Sequence, residues 1–214
     1  MYSTVIFDLD GTLLNTLDDL MDSTNMALEA YSFPKRSHEE IRCFVGNGIR
    51  KLIERAVPDN TDIGDTDKVY NEFKRLYQIH CNDKTGPYPG IIELLRELKK
   101  HNIKMGIATN KVKSAADKLN EIYFEGLIDE VAGVEDGIIP KPDRCMIDNL
   151  MKRLNATIDE TLYVGDSQVD VATARNTGLD MVAVLWGFRT RKELEESGAG
   201  VFIDNPMEIL DKVL

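Results

Sequence analysis

The sequence predicts an α/β fold in which a doubly wound, Rossmann-like parallel sheet carries an inserted α-helical cap domain. Short apolar runs with the length of buried strands alternate with amphipathic stretches of about ten residues. This alternation favours right-handed β-α-β units and therefore a parallel sheet. Residues 15–86, by contrast, contain several helical patterns and no convincing strand. We therefore expect a core formed by residues 1–14 and 87–214, with residues 15–86 as the helical insertion.

The individual elements follow from the periodicity of the apolar residues. After the first strand, Val5-Ile6-Phe7, the later strands are predicted at residues 103–108, 128–134, 162–164, 181–185 and 201–203. Helices of the core are predicted at residues 91–100, 114–122, 143–154, 169–177, 191–197 and 207–214. Helices of the insertion are predicted at residues 14–31, 37–44, 49–57 and 69–81, with a polar, turn-rich segment at 58–66.

Composition and charge limit the possible partners. The chain has 214 residues, of which 43% are hydrophobic and 29% charged, as in ordinary globular proteins. Its formal charge of -11 argues against nucleic acid or an anionic membrane as a partner. No apolar run approaches the ~20 residues of a membrane span, and no signal-peptide pattern is present. We expect a cytoplasmic protein, either a monomer or a homodimer.

Two acidic residues follow the first predicted strand. Asp8 and Asp10 have the same parity, so an extended chain would direct both side chains to one side. Gly11 permits a turn or a close backbone approach that a Cβ atom would block. A buried carboxylate is costly unless a metal, a cation or hydrogen-bond donors compensate its charge. Considered alone, the stretch could equally be a strand that ends in an Asp-Gly turn.

Polar side chains also follow three later strands. Thr109 and Asn110 follow one, Lys141 follows another after a short loop, and Asp166 and Ser167 follow a third. In open α/β sheets, ligands bind beyond the carboxyl ends of the strands. We therefore expect these acids, the hydroxyl, the amide and the ammonium to meet at one edge of the sheet.

This combination of residue types suits phosphoryl transfer. Asp8 and Asp166 offer the hard oxygen ligands that Mg²⁺ prefers. The metal and Lys141 would together offset the phosphate charge that otherwise repels an attacking carboxylate. A carboxylate nucleophile divides one difficult displacement into two easier steps through an aspartyl-phosphate. A second acid two residues away can protonate the leaving oxygen and then activate water.

Four short motifs at these positions resemble those of the haloacid dehalogenase superfamily, in that superfamily's usual order. They are Asp8-Leu9-Asp10-Gly11-Thr12, Thr109, Lys141 and Gly165-Asp166-Ser167-Gln168-Val169-Asp170. The resemblance covers essentially the whole chain. Because an acid stands at position 10, it implies the phosphatase branch of the superfamily and a small phosphorylated metabolite as the substrate.

The resemblance also implies roles for the acids. Asp8 would be the nucleophile and a Mg²⁺ ligand. Asp10 would be the general acid and base, and its backbone carbonyl would bind the metal. Asp166 would complete the metal site.

The remaining matched residues would bind phosphate or support the site. Thr109 and Asn110 would bind the phosphoryl group or substrate, and Lys141 would clamp the phosphoryl group to the nucleophile. The positions that would support the site are Gly11, Thr12, Ser167 and Asp170. Asp170 would do so either by supporting the metal ligands without binding the metal or by pairing with Lys141. The alternatives are helix N-caps for Thr109 and Asn110, a solvated loop lysine for Lys141, and a first-turn helix acid for Asp170.

Within the superfamily, the chain most resembles phosphoglycolate phosphatase-like proteins with an α-helical cap. The segments that carry this likeness include Val45-Gly46-Asn47-Gly48, Pro87-Tyr88-Pro89-Gly90 and Val184-Leu185-Trp186-Gly187-Phe188-Arg189. The leading substrate is 2-phosphoglycolate. Alternatives within the class are inorganic pyrophosphate, a sugar phosphate or a nucleotide, or the reaction of a phosphomutase.

The insertion contains one candidate for substrate recognition. Gly46, Asn47 and Gly48 could form a substrate-reading cap loop, with Arg50 or Lys51 gripping a substrate carboxylate. The alternative is a simple helix–helix turn flanked by surface charges.

Two other classes of protein share part of this pattern. Signalling receiver domains gather acids, a Thr or Ser and a Lys around Mg²⁺ and a phosphoaspartate without turnover. The helical insertion and the acid at position 10 argue against a receiver here. The complete motif set argues against an inactive phosphate-binding descendant.

Overall fold

The computed structural model describes all 214 residues of the chain. Its internal contacts divide the chain into two compact units. We call Met1–Leu14 together with Pro87–Leu214 the core unit, and Asn15–Gly86 the helical unit.

Parallel strands form the centre of the core unit. The strands of the chain are β1 (Thr4–Phe7), β2 (Leu14–Asn15), β3 (Gly86–Pro87), β4 (Lys104–Val112), β5 (Glu130–Val134), β6 (Thr161–Gly165), β7 (Asp180–Val184) and β8 (Phe202–Ile203). Six of them form one sheet in the order β5-β4-β1-β6-β7-β8, in which each neighbouring pair is parallel. The short strands β2 and β3 form a separate two-stranded sheet. The α/β prediction with a parallel sheet is therefore confirmed.

Helices account for most of the remaining structure. The helical unit contains α1 (Leu17–Ala30), α2 (His38–Phe44), α3 (Ile49–Ala56) and α4 (Ile63–His80). The core unit contains α5 (Ile91–Lys100), α6 (Lys113–Phe124), α7 (Cys145–Leu154), α8 (Gln168–Thr177), α9 (Arg191–Glu196) and α10 (Leu210–Val213). No helix combines the length and the apolar content that crossing a membrane requires.

The central sheet is covered on both faces. Val5 and Phe7 belong to a buried cluster that includes apolar residues of α5 and α6. Ile6 and Tyr163 belong to a second cluster, which includes residues of α7 and α8. Because successive strand residues point to opposite faces, a strand covered on both sides must be apolar throughout. This explains the uninterrupted Val5-Ile6-Phe7 run and confirms the doubly wound arrangement.

Several element boundaries differ from the sequence prediction. Leu14 and Asn15, expected to begin the first helix of the insertion, form strand β2, and helix α1 begins at Leu17. The strand expected to end at residue 108 continues as β4 to Val112, with a register shift against β5 between Ala108 and Val112. Helix α4 begins at Ile63, within the segment expected to be a loop. Its N-cap is Asp62, whose side chain accepts a hydrogen bond from the backbone N–H of Asp65. The first residues of this helix are largely exposed and polar, which is also the composition of a loop and explains the error.

Candidate active site

The candidate site lies where β1, β4 and β6 end. Phe7, the last residue of β1, is in register with Ile107 of β4 and Val164 of β6. The backbone N–H of Asp8 donates to the carbonyl of Val164 over 2.9 Å. This register brings the segments that follow the three strands to the same edge of the sheet.

Lys141 reaches this edge from the segment after β5. Its Nζ lies 2.9 Å from Asp8 Oδ1 and 2.8 Å from Asp170 Oδ1, and its side chain is buried. The side-chain amide of Asn110 donates to the backbone carbonyl of Lys141 over 2.9 Å. Lys141 is therefore not a solvated loop lysine. The hydrogen bond of Asn110 connects the end of β4 to the backbone that carries this ammonium.

Asp170 is completely buried near the start of α8. Its carboxylate accepts hydrogen bonds from the backbone N–H of Ser167 over 3.1 Å and from the Ser167 hydroxyl over 2.5 Å. It also pairs with Lys141. The two roles proposed from the sequence, a first-turn helix acid and a partner of Lys141, are thus combined in one carboxylate.

Two chain segments, Gly11-Thr12 and Gly187-Phe188, approach Asp166 closely. The backbone N–H of Phe188 donates to Asp166 Oδ2 over 2.6 Å, and the Thr12 hydroxyl lies 3.5 Å from Oδ1. A Cβ atom on Gly11, whose φ is +89°, would lie 2.3 Å from Asp166 Oδ2. A Cβ atom on Gly187 would lie 2.5 Å from the Gly11 carbonyl. Both positions therefore need glycine for the carboxylate to occupy this place.

The electrostatics of the acids reflect their burial. Burial and the negative charge of Asp170 raise the pKa of Asp8 well above its usual value, although Lys141 opposes the shift. Burial and Asp170 likewise raise the pKa of Asp166 to about 7, against the effect of the Phe188 N–H. For Asp170 itself, burial is outweighed by Lys141 and the hydrogen-bond donors, so its pKa lies below the usual value.

These acids form a buried cluster with the properties of a metal site. Oxygen atoms of Asp8, Asp166 and Asp170 lie within 4.8 Å of one another. The Lys141 ammonium pairs with two of these three carboxylates, Asp8 and Asp170, so the cluster holds more acidic groups than this one ammonium can neutralise. The carboxylate of Asp170 already accepts from several donors, so Asp8 and Asp166 are the better ligand candidates. An all-oxygen donor set of this charge fits Mg²⁺.

Thr109 and Lys111 lie in the last part of β4, which neighbours β1 in the sheet. Thr109 is buried, and its hydroxyl oxygen accepts from the backbone N–H of Lys111 over 3.1 Å. This bond leaves the hydroxyl hydrogen able to donate to a phosphoryl oxygen. Helix α6 begins at Lys113 with Val112 as its N-cap, so neither Thr109 nor Asn110 caps it.

Lys111 itself was not predicted from the sequence as a site residue. Its Nζ lies 2.8 Å from Asp10 Oδ1, and its side chain is 3% exposed. The available signal was its parity with Thr109, which places both side chains on the same side of an extended strand.

Tyr163 is a second residue that the sequence prediction missed. It is completely buried in β6, and its hydroxyl donates to Asp170 Oδ1 over 2.8 Å. The hydroxyl oxygen of Tyr163 in turn accepts from Lys141 Nζ over 3.0 Å. A tyrosine inside a buried strand needs a partner for its hydroxyl, which was the signal available from the sequence.

The predicted cap-loop residues lie in the helical unit. Gly46 and Gly48 have φ values of +120° and +82° between α2 and α3, so they form a tight helix–helix turn. The side-chain oxygen of Asn47 accepts from Arg55 over 2.9 Å. Arg50 pairs with Glu54 over 2.9 Å and with Asp67, and its guanidinium lies over the ring of Tyr70. Groups of the helical unit itself thus hold Asn47 and Arg50.

Comparison with known proteins identifies the family to which the chain belongs. The profile of the haloacid dehalogenase-like hydrolases matches residues 5–184. A phosphoglycolate phosphatase of Mesorhizobium japonicum is 34% identical over 201 residues, which are 90% of this chain and 88% of that protein. An N-acetylmuramic acid 6-phosphate phosphatase of Pseudomonas aeruginosa is 29% identical, with 97% of this chain and 92% of that protein covered. A crystal structure from Lactobacillus delbrueckii subsp. bulgaricus, provisionally named a phosphoglycolate phosphatase, has a TM-score of 0.95 and 32% identity, with 100% and 98% of the two chains covered.

Proposed function

Because the chain belongs to the haloacid dehalogenase-like hydrolase family, we propose that it is a Mg²⁺-dependent phosphatase of small phosphomonoesters. The observation that carries this proposal is the position of Asp8. Its carboxylate is buried, lies 2.9 Å from the Lys141 ammonium and is within 4.8 Å of the Asp166 carboxylate. A carboxylate held between a cation and a metal site is suited to attack phosphorus.

The proposed reaction has two displacements. In the first, an oxygen of Asp8 forms a bond to phosphorus while the bond to the ester oxygen breaks, and Asp10 gives that oxygen a proton. In the second, Asp10 takes a proton from water, which attacks the phosphorus and releases inorganic phosphate and the Asp8 carboxylate. Asp8, Asp166 and the backbone carbonyl of Asp10 would hold Mg²⁺, which would supply positive charge that offsets the charge of the phosphoryl group.

Two further residues would hold the phosphoryl group. The Thr109 hydroxyl hydrogen would donate to one phosphoryl oxygen, and the Lys141 ammonium would pair with another while it remains beside Asp8. Asn110 would position Lys141 without contacting the phosphoryl group, through its hydrogen bond to the Lys141 backbone carbonyl. This differs from direct substrate binding, the role expected for Asn110 from the sequence.

The leading substrate in this proposal is 2-phosphoglycolate. It is supported by the family and by the phosphoglycolate phosphatase of Mesorhizobium japonicum, which is 34% identical. The relative that is an N-acetylmuramic acid 6-phosphate phosphatase supports sugar phosphates as a second candidate class. Residues 15–86 would serve as the cap domain, with Gly46, Asn47, Gly48 and Arg50 as its candidate recognition loop.

Turnover of a substrate panel tests the proposal. Wild-type protein and the variant Asp8→Asn should be compared on 2-phosphoglycolate, sugar phosphates, a nucleotide and pyrophosphate, with Mg²⁺ and with a chelator. We expect many turnovers per chain for the wild type, and a loss of at least about 10³-fold for Asp8→Asn. The matched control is Asp148→Asn, because Asp148 lies on α7 and forms an exposed ion pair with Arg144, the residue that precedes this helix.

Two results would contradict the proposal. Substantial turnover by Asp8→Asn would remove Asp8 as the nucleophile. Release of at most one phosphate per wild-type chain would instead indicate a receiver, which becomes phosphorylated without turnover.

A further inference from the structure

Each acid of the Asp8-Leu9-Asp10 motif pairs with a different buried lysine. Lys141 pairs with Asp8, and Lys111 pairs with Asp10, whose Oδ1 lies 2.8 Å from the Lys111 ammonium. The Lys111 side chain is 3% exposed, whereas that of Asp10 is 16% exposed. The lysine is thus the enclosed member of this pair, and the carboxylate is the more accessible one.

The backbone fixes the place from which Lys111 reaches Asp10. Lys111 lies within the register shift of β4 against β5, and such irregularities redirect side chains at the end of a strand. Its N–H is bound to the Thr109 hydroxyl. A Cβ atom on Gly133 of β5 would lie 2.9 Å from the Lys111 carbonyl, so the neighbouring strand packs directly against this peptide. These contacts restrict the backbone of Lys111 and therefore the position from which its side chain extends to Asp10.

Such an ammonium restricts the carboxylate that it contacts. A buried lysine is costly unless a negative group accompanies it, so separating the pair is unfavourable. With Oδ1 held by Lys111, rotation of the Asp10 carboxylate is restricted, and Oδ2 has a defined direction. A general acid is effective only when its proton lies within hydrogen-bond distance of the leaving oxygen.

We propose that Lys111 is a positioning residue that aligns Asp10 for proton transfer to the leaving group. The inference rests on the proposed function, in which Asp10 is the general acid. Lys111 acts on the leaving-group side of the reaction, whereas Lys141 acts on the nucleophile and the phosphoryl group.

This assignment predicts a dependence on the leaving group. An alkoxide is a poor leaving group and needs a proton from Asp10 as the phosphorus–oxygen bond breaks. The p-nitrophenolate ion leaves readily without one. Misplacing the acid should therefore slow the hydrolysis of alkyl phosphates much more than that of p-nitrophenyl phosphate. A lysine that contacted the phosphoryl group would affect both esters equally, because both contain it.

The test compares kcat/KM of wild type and Lys111→Met on p-nitrophenyl phosphate and on the best alkyl phosphate of the substrate panel, both with Mg²⁺. We expect a loss of about 10²-fold on the alkyl phosphate and of less than about 10-fold on p-nitrophenyl phosphate. The matched control is Lys113→Met, because Lys113 lies two residues further along and pairs with Asp117 over 2.6 Å. It should leave both values near those of the wild type.

A double-mutant cycle separates positioning from a general structural effect. In the Asp10→Asn background there is no acid to align, so adding Lys111→Met should cost less than about 3-fold on either ester. Circular dichroism and a urea melt establish that each variant is folded. If Lys111→Met does not fold, Lys111→Leu takes its place, since leucine also offers Asp10 no hydrogen-bond donor and should give the same losses.

The outcomes distinguish this inference from the proposed function. Equal losses on both esters, a full multiplicative loss in the Asp10→Asn background, or no loss at all would overturn the role of Lys111 alone. Failure of the wild type to hydrolyse any phosphate ester would overturn the proposed function, and this inference with it.

Discussion

The Lys141 ammonium lies 2.8 Å from the Asp170 carboxylate, and both side chains are almost completely enclosed in the core unit. A buried ion pair gains little over an apolar pair of the same shape, but removing one partner leaves an uncompensated charge. The pair therefore connects catalysis with stability, because Lys141 also contacts Asp8.

Asp170→Asn should destabilise the protein and impair catalysis together. The variant leaves Lys141 with Asp8 as its remaining acidic partner at this position, and loss of one member of a buried pair costs about 3–5 kcal/mol. We expect a lower urea midpoint and a loss of kcat of at least about 10-fold, measured with the best substrate. Asp148→Asn, the control from an exposed pair, should change neither. Unchanged stability of Asp170→Asn would show that the buried pair is not needed for folding.

Tyr163→Phe removes one hydroxyl and keeps the buried ring. That hydroxyl bridges Lys141 and Asp170 over 3.0 and 2.8 Å, so its loss leaves two buried charged groups each short of one partner. We expect a decrease in the free energy of unfolding of about 1–3 kcal/mol, together with lower kcat. Tyr2→Phe is the matched control, because the Tyr2 hydroxyl also donates to an aspartate, Asp180, but at the surface. Equal effects of the two variants in urea melts would contradict the importance of the buried bridge.

Comparison of Gly11→Ala with a control variant should distinguish the cost of the left-handed backbone conformation from the loss of the Asp166 site. Gly11 has φ +89°, and its added Cβ would lie 2.3 Å from Asp166 Oδ2. Gly137→Ala provides the control, because Gly137 has φ +83° with no atom within 4 Å of the new Cβ. Each variant should lose about 1–2 kcal/mol from the left-handed conformation. Only Gly11→Ala should also lose activity and stabilisation by Mg²⁺; retention of both would argue against the close approach to Asp166.

Titration of Asp166 should make the metal-free protein less stable as the pH rises. Burial and Asp170 raise its pKa to about 7, while the Phe188 N–H, Arg189 and Lys141 act in the opposite direction. Because the ordinary value is 3.8, the folded protein keeps a proton that the unfolded chain has already lost between roughly pH 4 and 7. Stability should fall across this window by at most about 1.4 kcal/mol per pH unit, and no further because of Asp166 above it.

Urea melts at several pH values in the presence of a chelator measure this effect. Asp166→Asn lacks the titration, whereas Asp8, whose pKa is also raised, is common to both proteins. The difference between the two proteins therefore reports the titration of Asp166 together with its effect on Asp8, whose pKa the Asp166 charge helps to raise. Parallel curves would contradict the raised pKa. Since Mg²⁺ requires the ionised carboxylate, its stabilisation of the wild type should be larger at pH 7.5 than at pH 5.5.

Much of the fold followed from local patterns. The apolar runs specified the parallel strands because each strand is buried on both faces, as Val5, Ile6 and Phe7 are. The boundaries were less secure where the first turn of a helix is exposed and largely polar, as in α4 after Ile63. They were also less secure where a strand continues through polar residues, as β4 does to Val112.

The candidate site was predictable to the extent that its residues follow strands directly. Asp8 and Asp166 are brought together because parallel strands in register end at one edge. The sequence by itself thus determined the fold class, the family and the set of acids, since these depend on residue type and on position along the chain.

Only the tertiary structure decided how the charges pair. Lys111 and Asp10 are 101 positions apart, and Lys141 and Asp170 are 29 apart. The register of the strands and the path of the segment after β5 determine which ammonium meets which carboxylate. The partners of Tyr163 and Asn110 were hidden for the same reason, because a hydrogen bond needs a specific distance and direction that spacing along the chain does not contain.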